Sequence, residues 1–118
     1  MRYLCLLYGD PAAHRQLTRI DSDAIKNESL DYDQQLMRQG HFVAANALQP
    51  PSTARTVKVR NGKVLKTDGP FAETKEQLGG FILIEARDMD QAVEIASGIP
   101  MARIWSIEVR PILELTRA

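Results

Sequence analysis

The chain is poor in the side chains that most often announce a chemistry. It holds one cysteine, two histidines and one tryptophan in 118 residues. Cys5, alone in the apolar opening run YLCLLY, excludes an intrachain disulfide and fits a reducing compartment. Free cysteine is among the most buried residue types, so Cys5 reads as a small core hydrophobe. His14 and His41 stand far apart in sequence and far from Cys5, without the close helical or loop spacing of metal ligands, so no metal is expected. Neither histidine adjoins a nucleophile motif, which argues against Ser-His or Cys-His catalysis. Charge of one sign is also missing: fifteen Lys and Arg balance fifteen Asp and Glu. Without a net field to gather phosphates, nucleic acid is not an expected partner. The opening apolar run is too short for a secretory core, and no stretch is long enough to span a bilayer, so the expected location is the cytoplasm with no membrane partner.

What is present has the length and composition of one soluble domain spanning 1–118, with 44% hydrophobic and 25% charged residues. RYLCLLY is apolar on both alternating faces, as in a strand covered above and below. From about Ser22 to Gln39, Ile25, Tyr32 and Leu36 recur at helical spacing, with Asp21 or Ser22 as cap and Gly40 as terminator. HFVAANAL alternates as a strand with small residues on one side. TVKVR and KVLKT flank Asn61-Gly62, the pair that tolerates positive φ at both centres of a type I′ turn, which predicts a hairpin. FILIEA reads as a second doubly covered strand. Asp88 caps a helix to about Ser97 with Gln91 three residues on, and WSIEVRP closes the chain as an alternating strand.

Setting the hairpin aside, the order is βαββαβ: an α+β, ferredoxin-like arrangement with an extra inserted β-hairpin. Both helices then cover one face of an antiparallel sheet, and nothing in the chain covers the other. Four strands of about six residues present on the order of 400 Å², comparable with the largest apolar patch of a typical monomer. Burying that area is worth on the order of 10 kcal/mol before association costs. The expected partner is a second copy, the two open faces meeting as a dimeric α/β barrel with the hairpin reaching across or fencing one end.

DGPFAETKEQLGG, from Asp68 to Gly80, is the segment with the most unusual composition. Asp68-Gly69-Pro70 reads first as turn chemistry, the carboxylate accepting from backbone N–H groups, and second as an acid held at a cleft mouth. In the second reading Asp68 is a general base or a polar anchor, and Lys75 offers a compensating charge. Tyr8 at the end of the first strand and Asn46 on the small-faced strand are further candidates, and Gly69, Pro70 and Phe71 belong to the same loop. No cofactor is expected.

On these residues the sequence resembles the YCII-related family, in its DGPF branch: DGPFAETKEQLGG, with YLCLLYGD, ALQPP, TVKVRNGKVL, DMDQAVEIASGIP and IEVRPI. The resemblance implies a ferredoxin-like fold and a homodimer, and little about chemistry. Some relatives are read as enzymes through a His in the first helix and an Asp near the end of the second. Here the comparable positions fall near Ser29 and at Ile99, so that pair does not carry over. Relatives of the DGPF branch are linked with sigma factors, which implies a regulatory or accessory role through a protein partner. Two functions follow: a homodimeric small-molecule-binding protein, or a small cofactor-free lyase or isomerase using Asp68 as base.

Overall fold

The computed structural model describes residues 1–12 and 17–117; His14 lies outside them. The elements are β1 (Arg2–Gly9), α1 (Arg19–Arg38), β2 (Phe42–Ala47), β3 (Arg55–Arg60), β4 (Lys63–Asp68), β5 (Gln77–Glu85), α2 (Met89–Ser97) and β6 (Ser106–Pro111). Short 3-10 turns sit at Pro51–Thr53 and Pro100–Arg103.

Four strands form one sheet in the order β2-β5-β1-β6, every pair antiparallel, and β3 with β4 forms a separate two-stranded sheet. This is the α+β, ferredoxin-like arrangement with an inserted hairpin. The alternation in β1 and β5 sorts the sheet's two faces. Cys5 pairs with Ile82 and Tyr3 with Ile84, and all four are buried beneath the helices with Leu36, Ala92, Ile95, Ala96 and Ile99. Leu4 pairs with Leu83 and Leu6 with Phe81 on the opposite face, where no element of the described chain covers them and they are half-buried. Arg110 and Glu108 of β6 continue that face at its rim, opposite Leu4 and Leu6.

Local chemistry explains the element ends. α1 begins three residues earlier than the apolar spacing indicates, because Thr18 is its cap: the Thr18 side chain accepts from the Asp21 N–H at 3.1 Å. Gly40 takes φ +78° just past its end. At α2 the Asp88 carboxylate accepts from Gln91 N–H at 2.9 Å, while the Gln91 side chain accepts from Arg87 N–H at 2.8 Å, a reciprocal cap. Asn61 and Gly62 have φ +51° and +76°, the signature of the type I′ turn.

β5 starts at Gln77, ahead of the FILIEA run, so Gly79 and Gly80 lie inside the strand. Gly80 is confined there by β2, since a Cβ would stand 2.9 Å from the Asn46 carbonyl oxygen. The β3–β4 hairpin projects from the sheet with Val57, Val59 and Val64 exposed. The radius of gyration is accordingly 16.4 Å, against about 13.5 Å for a compact chain of this length. No helix among the described residues is long and apolar enough to cross a membrane.

Candidate ligand pocket

α1 is fastened at its C-terminal half and stands over the sheet at the other. Leu36 is buried in the core, and the Tyr32 hydroxyl donates to the Ile95 carbonyl of α2 at 2.6 Å. Gly98 makes room for that contact: a Cβ there would stand 2.5 Å from the Tyr32 oxygen. Arg103 pairs with Glu28 and ties the middle of α1 to the turn before β6. Toward the start of α1 the inward stripe is Ser22, Ile25 and Ser29, only half-buried. Between this stripe and the sheet lies a cavity of about 740 Å³, within the usual range for a ligand pocket.

Small residues make its floor. Ala45 and Ala47 of β2 and Gly79 and Gly80 of β5 line it with Leu7 and Ile82, and Ile99, Pro100 and Met101 close one end. Trp105 also lines it. The indole lies across two strands where neither has a side chain: a Cβ on Gly9 would come within 2.0 Å of Trp105 Cδ2, and one on Gly79 within 2.1 Å of Cζ3. Glycine at 9 and 79 is therefore a steric condition for the position of the ring.

The polar groups around this hollow are few. α1 contributes Ser22, Lys26, Ser29 and Asp33, and Gln49 and Gln77 stand with Pro50 and Pro51 at the edge. Asp33 is half-buried, and burial raises its carboxyl above its ordinary value. Cys5, beneath the helices, is pushed up to about 11 by the same cause. Among the described residues no three His, Cys, Asp or Glu side chains gather as a metal site.

The residues singled out by sequence are dispersed around this pocket. Asn46, on the edge strand β2, lines it. Pro70 and Lys75 line a neighbouring depression of about 430 Å³, which shares Pro11, Pro50, Pro51 and Gln77 with the larger cavity. Gln77 knots this loop by donating to the carbonyls of Ala72 and Thr74 at 3.0 and 2.8 Å. Tyr8 pairs with Ser106 in the same alternation as Leu6 and Glu108, on the open face. Asp68 ends β4 with its side chain 95% exposed and Arg55 Nε 3.5 Å away, outside both hollows.

The turn at the hairpin's root is organised by Gly69, at φ +96°, rather than by the Asp68 carboxylate. Its N–H donates to the Ala54 carbonyl at 2.7 Å, and its carbonyl accepts from the Thr56 hydroxyl at 3.0 Å. Phe71 is exposed and carries Lys58 Nζ 5.2 Å above its ring. Sequence reasoning passed over Asp33 and Trp105, and met Ser29 only as the position comparable to the His of some relatives. The available signal was in α1, where Ser22, Ser29 and Asp33 share the inward stripe with Ile25, Tyr32 and Leu36, polar groups at positions a filled core would give to hydrocarbon.

Fold and cavity together define an α+β ferredoxin-like protein with a ligand-sized hollow under its first helix. The model of the YCII-related domain matches residues 1–116, and the chain belongs to that family. It is 31% identical over 114 residues to an uncharacterized protein of Rhizobium meliloti (strain 1021), covering 95% of this chain and 92% of that one. A solved structure of similar fold is 5-chloro-2-hydroxyhydroquinone dehydrochlorinase from Burkholderia phenoliruptrix AC1100, in complex with 2,5-dihydroxybenzoquinone. The TM-score is 0.54 at 17% identity, covering 96% of this chain and 94% of that one.

Proposed function

We propose that this YCII-related protein is a homodimeric small-molecule-binding protein whose ligand sits in the cavity beneath α1. The observation that carries this is the cavity itself: about 740 Å³, floored by alanine and glycine, walled by aliphatic side chains and bearing a few polar groups from one helix, as ligand sites generally are. The dimer joins the open sheet faces through Leu4, Leu6, Phe81 and Leu83, and the hairpin arm, with its bare valines, reaches the second copy. The role is regulatory or accessory, exerted through a protein partner in the setting of sigma-factor control.

The test is thermal denaturation against a panel of small apolar compounds, in the wild type and in Ala47→Trp, which fills the hollow from an exposed edge-strand position. Stabilising compounds act on the wild type and not on the variant. Equal shifts in both place the ligand elsewhere.

A second reading, a cofactor-free lyase or isomerase, is favoured by one observation. Asp33 brings to the pocket a carboxyl raised by burial, and a general base works best with its pKa moved toward the operating pH. The fold neighbour from Burkholderia is itself a dehydrochlorinase, so the scaffold is compatible with turnover. Asp68 takes the base role only if a second copy covers it.

A further inference from the structure

We propose that the cavity takes a flat ring system bearing a hydroxyl group, laid along the Trp105 indole with the hydroxyl bonded to the Asp33 carboxylate. This rests on the reading of the cavity as the ligand site and adds the ligand's class.

Shape gives the first reason. The hollow, about 740 Å³, lies between a helix and strands that set Ala45, Ala47, Gly79 and Gly80 beside Leu7 and Ile82, which leaves room for a fused two-ring molecule. Leu36 and Tyr32 fix the helix at one end, and the half-buried Ser29 and Ile25 leave it standing off at the other.

The indole gives the second. Held over Gly9 and Gly79, with a Cβ at either position excluded by its ring atoms, Trp105 is an aromatic surface positioned before any ligand arrives. Stacked and edge-to-face aromatic contacts add to area burial and favour an aromatic guest over a saturated one.

Electrostatics gives the third. Asp33 is the only acid lining the cavity, and among the described residues it makes no hydrogen bond or ion pair. A ligand hydroxyl donating to it satisfies an acceptor that half-burial leaves short of water. A carboxylate ligand meets repulsion there, and its own charge is unpaid among aliphatic walls. Among the described lining residues the one cation, Lys26, is exposed at the rim.

The experiment is calorimetry with ligand-observed NMR on the full chain, using 2-naphthol, naphthalene, 2-naphthoate and decahydro-2-naphthol. The expected order has 2-naphthol tightest, decahydro-2-naphthol at least tenfold weaker, and naphthalene and 2-naphthoate each at least fivefold weaker. In Asp33→Ala the preference of 2-naphthol over naphthalene collapses to within twofold. Trp105→Phe keeps 2-naphthol binding within threefold, and Trp105→Leu loses it by tenfold or more. If Trp105→Leu does not fold, the saturated analogue and Asp33→Ala decide.

Decahydro-2-naphthol binding as well as 2-naphthol, or an unchanged preference in Asp33→Ala, overturns the proposal. If every probe is nonetheless lost in Ala47→Trp, the cavity remains a ligand site and only the ligand class is wrong. If 2-naphthol binds Ala47→Trp as it binds the wild type, both readings fail together.

Discussion

Gly79 and Trp105 are packed so closely that a methyl group on residue 79 would lie 2.1 Å from the indole Cζ3. The contact joins the start of β5 to the residue preceding β6 and fixes one wall of the cavity. Gly79→Ala must push the ring out of place or part the strands. Overpacking of this kind costs about 1–3 kcal/mol. Chemical denaturation should show that loss, and the emission of the single tryptophan should shift as its surroundings change. An unaltered spectrum and midpoint would mean that the ring is not held against the strand.

The Tyr32 hydroxyl is the hinge pin of α1. Tyr32→Phe removes its 2.6 Å hydrogen bond to the Ile95 carbonyl and is expected to cost about 1 kcal/mol. The cavity volume depends on where α1 lies, so ligand-induced stabilisation should weaken in the same variant. Full retention of both would assign the position of α1 to Leu36 and the Arg103–Glu28 pair.

Two groups with raised pKa give pH signatures of the same sign. Asp33 binds its proton more tightly folded than unfolded, so its contribution is favourable at low pH and is lost as pH rises from below 3.8 through the raised value. Asp33→Asn should therefore stabilise the protein at pH 7 and do nothing at pH 3, as read by urea denaturation. Cys5 behaves alike, its thiol pushed up to about 11 by burial, and native protein at pH 8 should resist iodoacetamide until denatured. Rapid native labelling would contradict its burial.

Much of the frame was legible because local chemistry and tertiary structure agree there. Asn61-Gly62, Asp88 with Gln91, and the alternation of YLCLLY and FILIEA each specify backbone or face by themselves. The start of α1 was not, because Thr18 precedes the apolar spacing that marks the helix. The pocket was legible only in part. Asn46 on a small-faced strand pointed at it, but the pull of Asp68-Gly80 pointed to a loop whose acid ends on a projecting hairpin. Trp105 was read as one residue of an alternating strand; its relation to Gly9 and Gly79 exists only once β1, β5 and β6 are side by side.

The uncovered face makes its own prediction. Leu4 and Leu83 are directly opposed there, and Leu83→Glu would place a carboxylate at the centre of the proposed dimer. Sedimentation velocity should give a dimer for the wild type and a folded monomer for the variant. A wild type that is monomeric at all concentrations would remove the assembly and leave the open face to water.

The most direct test of the ligand site is an amide-resolved NMR titration with 2-naphthol. Binding beneath α1 predicts saturable shifts concentrated at Ser29–Asp33, Ala45–Ala47 and Gly79–Gly80, with the hairpin residues 55–68 unmoved. Shifts confined to residues 68–75, or to Leu4, Leu6 and Leu83 on the open face, would place the ligand somewhere other than the cavity and contradict the account.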